Sequence, residues 1–344
     1  MKRIVSLIMV LMLLLLAGCS APQPEATATP EATTVPTAVP VKLSQVGFYF
    51  DTVVTVTLHN GQDGLMQEIW DACDRYEKML SKTIAGSDVD RINHAGGAAV
   101  TVDPETWEIL RRAKEINAMT GGAFAVTIAP LTAMWDFTGG TQRMPTDEQR
   151  LAALSLVDDT AIALGDGHTV TLPAGMEIDL GGIAKGYIAD KIAQLVQGRC
   201  MGAVISLGGN VYVVGSKPDG SAFNVAIQDP EGKNGAYVAV VSTTDRSVVT
   251  SGIYERQFVK DGVVYHHILD PKTGSSSQSD LASASVVATS SMDADALATA
   301  LIVLGKDAAL ELMKANQISG VLITRDGEIV SHQASDTYQL KLAE

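Results

Sequence analysis

Apolar and polar residues alternate where the folded part of this chain begins, and the pattern then becomes helical. Residues 48–58 alternate and include β-branched side chains, which predicts one strand. Ser87 is the predicted N-cap of a short helix over residues 88–93. Between the predicted strand and this short helix, apolar residues recur at the spacing of one helical face. These residues are Leu65, Ile69, Ala72, Cys73, Tyr76, Met79 and Leu80.

The next predicted helix has clear signals at both ends. Asp103 is an acidic N-cap, Pro104 occupies the first helical position, and Gly121-Gly122 ends the helix. Its predicted buried face consists of Trp107, Leu110, Ala113, Ile116 and Met119. Residues 160–180 have the pattern of a hairpin that turns at the Gly-Asp-Gly of residues 165–167.

Predicted strands dominate the second half of the chain, after a helix over residues 183–197. These strands lie at residues 203–207, 211–215, 223–228, 237–242, 246–250 and 263–269. Helices are then predicted at residues 293–304 and 306–316, before a terminal hairpin over residues 320–331. Because strands and helices do not alternate regularly, the sequence predicts a mixed α/β, or α+β, architecture rather than a doubly wound parallel sheet.

The N-terminus has the pattern of a lipoprotein signal. Lys2 and Arg3 precede an apolar run over residues 4–17 that is too short for a comfortable membrane span, and small residues lead to Cys19. We therefore expect residues 1–18 to be a signal peptide and Cys19 to become the lipidated first residue. The alternative is an uncleaved anchor. Both interpretations place the protein outside the cytoplasm, at a membrane surface.

A tether is predicted to follow, over residues 19–44. Residues 20–43 contain five prolines and five threonines but no aromatic residue and no apolar period. Such a composition cannot bury enough apolar surface to offset the entropy of ordering, so we expect it to be disordered. The remaining residues, 45–344, are long enough for one substantial folded domain.

Charge and cysteine content exclude several classes of partner. The formal net charge is −14, or −16 once Lys2 and Arg3 are removed, so nucleic acid is not expected as a partner. A phosphate ligand would need a local cation such as a metal ion. Cys73 lies on the apolar helical face, which favours a buried free thiol over a disulfide with Cys200. No Cys/His spacing indicates structural zinc.

The most informative segment is residues 179–191, where a Gly-Gly turn leads into a predicted helix. Backbone N–H groups and the helix dipole favour phosphate at such a turn, and Gly181 and Gly182 let a ligand approach the backbone. Lys185 can supply positive charge, and Asp179 can accept a hydrogen bond. The alternative is an ordinary helix start with a solvated lysine.

Two further glycine segments have a structural and a functional interpretation. Thr120-Gly-Gly-Ala-Phe leaves a helix and is either a ligand-binding turn or a helix C-cap. Ser206-Leu-Gly-Gly-Asn ends a predicted strand, where a planar ligand can lie against the backbone. The alternative for this second segment is a bulge or a tight turn.

Histidine and carboxylate side chains mark the last two candidate segments. Adjacent residues of a strand point to opposite faces, so at most one of His266 and His267 can face a given site. A neutral imidazole there can accept a proton from a hydroxyl group, although a lone strand histidine is more often structural. Asp295 and Thr299 share a helical face and offer oxygen ligands to a hard cation. The alternative is that Asp293 or Asp295 only caps the helix.

Five segments, in this order, resemble the motifs of the ApbE-type FAD:protein FMN transferases. They are Thr120-Gly-Gly-Ala-Phe, Asp179-Leu-Gly-Gly-Ile-Ala-Lys-Gly, Thr250-Ser-Gly-Ile-Tyr, His267-Ile-Leu-Asp-Pro-Lys-Thr-Gly and Ala294-Asp-Ala-Leu-Ala-Thr-Ala. The resemblance spans roughly residues 46–325 and implies a T-fold-like arrangement of mixed sheets with flanking helices. It also implies Mg²⁺-dependent transfer of the FMN moiety of FAD to a threonine or serine hydroxyl of an acceptor protein, with release of AMP.

The resemblance also implies roles for individual residues. A metal ion would be held by Asp295, by the Thr299 hydroxyl and by the backbone carbonyl of Gly182. His267, rather than His266, matches the functional histidine of the family. The residues implied to bind or line the site of FAD are Phe50, Ala123, Phe124, Asp179, Lys185 and Ile268.

The chain departs from the family pattern at two places. Phe50-Asp51 stands where many members have Met-Gly, a change that we expect to be tolerated. Ala125-Val126 follows Phe124 where members usually have an aspartate. The missing carboxylate is expected to weaken flavin binding or to alter turnover.

Two other functions remain open at the level of sequence. One is a Mg²⁺-dependent FAD pyrophosphatase, in which water replaces the acceptor hydroxyl and FMN and AMP are released. The other, from a different class, is a non-catalytic flavin- or solute-binding lipoprotein. For the transferase, the implied partners are FAD, the membrane through the lipid anchor, and extracytoplasmic flavin-carrying subunits of membrane redox complexes.

Overall fold

The computed structural model describes residues 41–137, 140–233 and 235–343. The predicted signal peptide, Cys19 and all but the last four residues of the predicted tether lie outside these ranges. The first strand begins at Lys42, so regular structure reaches into the end of the segment predicted to be a tether. Within the described residues, no helix has the length and apolar character needed to span a bilayer.

Strands make up most of the regular structure. In chain order they are β1 (Lys42–Tyr49), β2 (Thr52–His59), β3 (Val100–Thr101), β4 (Ala163–Gly165), β5 (Thr169–Thr171), β6 (Gly202–Leu207), β7 (Asn210–Gly215), β8 (Phe223–Gln228), β9 (Tyr237–Thr243), β10 (Arg246–Gly252), β11 (Gln257–Lys260), β12 (Val263–His266), β13 (Leu281–Ala288), β14 (Ser319–Thr324), β15 (Ile329–His332) and β16 (Gln339–Leu342).

Helices separate these strands into five groups along the chain. They are α1 (Leu65–Leu80), α2 (Asp88–Asn93), α3 (Pro104–Met119), α4 (Ala129–Thr132), α5 (Asp147–Leu154), α6 (Ala184–Val196), α7 (Ser291–Leu304) and α8 (Lys306–Ala315), with a 3-10 turn at Asp159–Ala161. The predicted caps are confirmed. The Ser87 hydroxyl accepts the N–H of Asp90 at 2.9 Å, and the Asp103 carboxylate accepts the N–H of Glu105 at 2.9 Å.

An eight-stranded sheet in the order β1-β2-β6-β7-β10-β13-β14-β15 forms the centre of the molecule. Every neighbouring pair in it is antiparallel. Helices α1, α6 and α7 pack on one face, and the three-stranded sheet β16-β9-β8 packs on β7, β10, β13 and β14 of the other. The mixed architecture predicted from the sequence is confirmed, and a doubly wound parallel sheet is excluded.

The single strand predicted over residues 48–58 is wrong. Phe50 and Asp51 both have φ of 56°, and they form a two-residue turn that pairs β1 with β2 in antiparallel register. A turn with two positive φ values normally contains Asn-Gly or Asp-Gly, so Phe50-Asp51 gives no turn signal in the sequence. The alternating pattern therefore runs through the turn without a visible break.

Strand β13 was not predicted, because it lacks the alternation on which strand prediction depends. Seven of its eight residues are buried, since α7 covers one face and the three-stranded sheet lies against the other. The predicted strand over residues 263–269 is also too long and ends at His266. The other missed elements are the short strands β3, β11 and β16 and the helices α4 and α5.

Helices α6 and α7 approach each other very closely at Gly186. A Cβ atom added to Gly186 would lie 2.1 Å from the Ser291 carbonyl oxygen and 2.7 Å from the Met292 Cα atom. Both of these atoms belong to backbone, so neither can rotate away. The first turns of the two helices are therefore in contact only because residue 186 has no side chain.

The substitution Gly186→Ala should destabilise the fold, because it forces these two helices apart. We expect the free energy of unfolding to fall by about 2 kcal/mol, as for other overpacked core positions, despite the better helix propensity of alanine. Urea unfolding followed by circular dichroism measures this change. Gln194→Ala, at an exposed position of the same helix, is the control and should stay within about 0.5 kcal/mol of the parent.

Candidate functional site

The candidate site lies at the end of the central sheet where the β1–β2 and β6–β7 turns meet the end of β10. A Cβ atom added to Gly208 would lie 2.1 Å from the Thr52 hydroxyl oxygen. The Thr250 N–H donates to the Gly209 carbonyl oxygen at 3.4 Å. The Gly-Gly turn of residues 208–209 therefore allows the first hairpin and β10 to pack closely. A tight turn was one of the two interpretations that the sequence left open for this segment.

Lys185, in the first turn of α6, forms a pair with Asp295, which lies one turn after the start of α7. The Lys185 Nζ atom lies 3.6 Å from Asp295 Oδ1 and donates to the Gly181 carbonyl oxygen at 2.8 Å. Asp295 Oδ2 accepts the N–H of Gly186 at 2.9 Å. Asp295 is buried, whereas Lys185 is partly exposed. One oxygen of a buried carboxylate is thus held by the backbone and the other faces a cation.

Hydroxyl groups and an aromatic ring lie beside this pair. The Thr299 hydroxyl is 3.4 Å from that of Ser251 on β10. A Cβ atom added to Gly182 would lie 3.2 Å from the Phe124 ring and 3.8 Å from the Thr299 hydroxyl oxygen. Motifs that are far apart in sequence therefore meet at Gly182. Ser251 belongs to one of the five segments, but no pattern in that segment marks it as a site residue.

The segment after Phe124 is joined to the segment around Asp179. The Asp179 N–H donates to the Val126 carbonyl oxygen at 2.7 Å. The buried Asp159 carboxylate accepts the N–H groups of Val126 and Thr127, each at 2.9 Å. Burial raises the pKa of Asp159, and these hydrogen bonds oppose the rise. Ala123 and Phe124 are buried beside this junction.

Asp179 has a cationic partner that the sequence analysis missed. Lys82, which follows α1, places its Nζ atom 2.6 Å from Asp179 Oδ2. Asp179 Oδ1 accepts the N–H of Gly181 at 2.8 Å, so the carboxylate also shapes the Gly-Gly turn. No local pattern marks Lys82 or Asp159, because each acts on a segment that is distant in sequence.

His266 and His267 occupy different environments, as strand geometry requires. His266 is fully buried and its Nε2 atom is 2.8 Å from the Ser277 carbonyl oxygen. Burial lowers the pKa of His266 to about 4. Burial also lowers the pKa of His267, to about 3, and the positive charges of Arg256 and Lys185 contribute. Among the described residues, His267 Nδ1 has no hydrogen-bond partner.

Ile268 and Phe50, both predicted to line the FAD site, lie in different positions relative to Lys185 and Asp295. Ile268 is buried in the main core next to His267. Phe50 lies in the β1–β2 turn, where its N–H donates to Glu77 at 2.8 Å and its ring is 6.0 Å from that of Tyr49. None of the contacts described for Phe50 reaches Lys185 or Asp295.

The oxygen donors suit a hard cation, although they do not form an acidic cluster. In the part of the chain that the structure describes, no group of three or more His, Cys, Asp or Glu side chains is arranged to hold a metal ion. Asp295, the Thr299 hydroxyl and the Gly182 backbone supply a carboxylate and neutral oxygens in one place. Mg²⁺ is commonly bound by one or two carboxylates together with water and substrate phosphate, so the donor set fits.

A family model described as the ApbE family matches residues 50–322. The chain belongs to the ApbE family. A FAD:protein FMN transferase of Treponema pallidum is 38% identical over 266 residues, which cover 72% of this chain and 74% of the relative. One of Klebsiella pneumoniae is 32% identical over 283 residues, covering 80% and 87%. The predicted family and the predicted transferase class are confirmed.

A solved structure shares the fold as well. The ApbE protein of Thermotoga maritima superposes with a TM-score of 0.78 at 30% identity, and the match covers 85% of this chain and 97% of that one. The eight-stranded antiparallel sheet with helices on one face is therefore an ApbE-family fold, as the sequence motifs implied.

His266 and His267 predict how stability depends on pH. Each has a pKa in the folded protein, about 4 or about 3, below its ordinary value of 6.5, so the unfolded chain binds protons first as the pH falls. The stability that they contribute is present above about pH 6.5 and decreases as the pH falls below it. We expect the urea midpoint to fall between about pH 7 and pH 5, and to fall less in His267→Asn.

Nuclear magnetic resonance tests independently whether the pKa of His267 is lowered in the folded protein. The His267 ring signals should not shift between about pH 8 and pH 5, whereas those of exposed His94 should titrate. The hydrogen bond to the Asp90 carbonyl oxygen raises the pKa of His94, which makes it a suitable internal control. A His267 ring that titrates near neutral pH would contradict the prediction.

Proposed function

We propose that this ApbE-family protein transfers the FMN moiety of FAD to a threonine or serine hydroxyl of an acceptor protein and releases AMP. The supporting observation is the Lys185–Asp295 pair, with 3.6 Å between Nζ and Oδ1, at the start of α6 beside the Thr299 hydroxyl. Cationic and oxygen groups meet there at a glycine turn, as binding of a diphosphate requires. The similarity to FAD:protein FMN transferases supports flavin transfer from FAD.

FAD would bind along the surface that joins Phe124 to the turn of residues 181–182. Glycine at these two positions leaves the backbone accessible to the diphosphate. Phe124, Ala123 and Ile268 are buried beneath this surface and would form the apolar base of the FAD site, and Asp179 holds the turn through its bond to the Gly181 N–H. Phe50 would act from the neighbouring hairpin turn and would contact the flavin only at the edge of the site.

Mg²⁺ would be held by Asp295, by the Thr299 hydroxyl and by the Gly182 carbonyl. When bound, the ion neutralises charge on the diphosphate oxygens during substitution at phosphorus. Lys185 would then be available to contact the diphosphate, because its only carboxylate partner among the described residues is Asp295. The carbonyl oxygen of Gly181 fixes the direction of its side chain.

His267 would accept the proton of the acceptor hydroxyl. The hydroxyl oxygen then forms a bond to the FMN-side phosphorus, and the bond from that phosphorus to the bridging oxygen breaks, so that AMP leaves with the electron pair. Burial keeps His267 neutral in the free protein, so it has a lone pair available. A bound diphosphate offsets the charges of Arg256 and Lys185, which raises the proton affinity of the ring when it is needed.

The proposed acceptor and location rest on the family resemblance and on the N-terminal sequence pattern rather than on the site. Lipidation of Cys19 would confine the protein to the outer face of the cell membrane, with residues 19–44 as a tether. Confinement to the same surface raises the encounter frequency with membrane-bound acceptors. We therefore propose extracytoplasmic flavin-carrying subunits of membrane redox complexes as acceptors.

Asp295→Ala should abolish FMN transfer together with its dependence on Mg²⁺, because Asp295 is the only carboxylate that the described residues pair with Lys185. The test incubates residues 41–344, or the full chain, with FAD, Mg²⁺ and a candidate acceptor, and detects the FMN mass increment on the acceptor by mass spectrometry. Asp307→Asn, at an exposed position of α8, is the matched control. If the parent releases free FMN and AMP without modifying any acceptor, the protein is a pyrophosphatase instead.

His267→Ala should lower the rate of FMN transfer by about 10²- to 10⁴-fold, which is the usual contribution of a general base. Binding of FAD, followed by flavin fluorescence, should remain close to that of the parent, since His267 would act on the hydroxyl. His94→Ala removes an exposed histidine and should behave as the parent does. Equal transfer rates for His267→Ala and the parent would remove this histidine from the mechanism.

A further inference from the structure

Asp190 is the remaining carboxylate of the segment 179–191, and no role has been assigned to it. It lies on α6, one turn after Gly186, and points at the start of α7. Its Oδ1 atom accepts the N–H of Ser291 at 2.7 Å, and its Oδ2 atom accepts the N–H of Met292 at 3.0 Å. One side chain therefore satisfies two of the N–H groups that the first turn of a helix leaves without an intrahelical partner.

Each of the two helices contributes a carboxylate that accepts backbone N–H hydrogen bonds from the other helix. Asp190 on α6 binds the first turn of α7, and Asp295 on α7 binds the Gly186 N–H in the first turn of α6. Asp190 lies four residues after Gly186 in α6, and Asp295 lies four residues after Ser291 in α7. Gly186 and Ser291 are the positions at which the backbones of the two helices meet. The absence of a side chain at Gly186 brings the two first turns close enough for both contacts.

Three other contacts hold the first turn of α7 in place. The Ser290 hydroxyl accepts the N–H of Asp293 at 3.2 Å. The Ser247 hydroxyl of β10 donates to that of Ser291 at 2.7 Å. Arg112 of α3 binds both oxygens of Asp293, at 2.7 and 2.9 Å. None of these three contacts involves α6, whereas Asp190 joins this turn by hydrogen bonds to the helix that carries Lys185.

We propose that Asp190 is a positioning residue, which fixes the start of α7 against α6 so that Asp295 faces Lys185 and Thr299 at the metal and diphosphate site. This inference rests on the proposed function, because it gives Asp295 the role of a metal ligand. A rotation or shift of the first turn of α7 moves Asp295, which lies one turn further along the same helix. The effect on the site is therefore indirect, and Asp190 itself touches neither metal nor FAD.

The chemistry of the contact requires a carboxylate at this position. Both oxygens of Asp190 accept backbone N–H groups at once, and its negative charge favours the N-terminus of α7. An asparagine has one acceptor oxygen, and its NH₂ group would face the other N–H donor. Asp190→Asn thus keeps the size of the side chain and removes one of the two hydrogen bonds.

Asp190→Asn is the direct test, with metal binding measured apart from activity. Binding of Mn²⁺ in place of Mg²⁺ is followed by electron paramagnetic resonance on the protein with FAD. We expect the Kd for Mn²⁺ to rise about 10-fold, in the range found when groups that orient metal ligands are removed. FMN transfer should then recover at high Mg²⁺ concentration, and the KM for FAD should rise more than kcat falls.

Asp88→Asn is the matched control, since it removes a carboxylate of the same kind far from α6 and α7. Asp88 is buried and accepts the N–H of Asp103 at 2.8 Å and the Thr106 hydroxyl at 2.7 Å, at the start of α3. We expect Asp88→Asn to lower the thermal midpoint while leaving the Kd for Mn²⁺ unchanged. A variant that only loses stability would therefore not show the raised Kd for Mn²⁺ that is expected for Asp190→Asn.

The outcomes separate this inference from the proposed function. If Asp190→Asn binds Mn²⁺ as tightly as the parent, the positioning role is overturned while FMN transfer by the parent still supports the enzyme. If the parent binds Mn²⁺ but transfers no FMN, the proposed function fails and a raised Kd in the variant still supports the positioning role. A parent that binds no Mn²⁺ overturns both.

Asp190→Glu is a second variant for the case in which Asp190→Asn does not fold. It keeps the charge and both acceptor oxygens, but its extra methylene displaces the first turn of α7. We expect a Kd for Mn²⁺ that is several-fold higher than that of the parent. Parent-like binding by a folded Asp190→Glu protein would overturn the inference.

Discussion

The contact between the first turns of α6 and α7 is the constraint on which the candidate site depends. Gly186 allows the backbones to meet, and Asp190 and Asp295 each satisfy N–H groups of the other helix. Lys185 belongs to the first turn of α6, and Asp295 lies one turn after the start of α7. The spacing of the cation and the carboxylate is thus set by a backbone contact rather than by flexible side chains, which suits a site that must hold a rigid diphosphate.

Local chemistry explains which parts of the fold could be predicted from sequence. Helix ends carry their own signals, and so the caps at Ser87 and Asp103 and the glycine end at residues 121–122 appear in the structure as expected. The β1–β2 turn was missed because Phe50 and Asp51 adopt positive φ without a glycine. Strand β13 was missed because burial on both faces removes its period.

In the candidate site, too, residues marked by a local sequence motif were predicted, and residues that act on a distant segment were not. Ordered motifs identified Lys185, Asp295 and Thr299, which the fold brings together. Lys82 and Asp159 were missed, because a lysine after a helix and an aspartate in a turn carry no signal of the distant segment that each one binds. Such partners become visible only when long-range contacts are known.

Strand order also determines when this protein can fold. His59, at the end of β2, pairs with Gly202, at the start of β6, so the first hairpin joins the central sheet only after most of the intervening chain has been made. Sheets that rely on such distant pairings form slowly. A chain with this strand order therefore folds more slowly than one built from local contacts, and during that time the inner strand of the first hairpin, β2, has one unpaired edge.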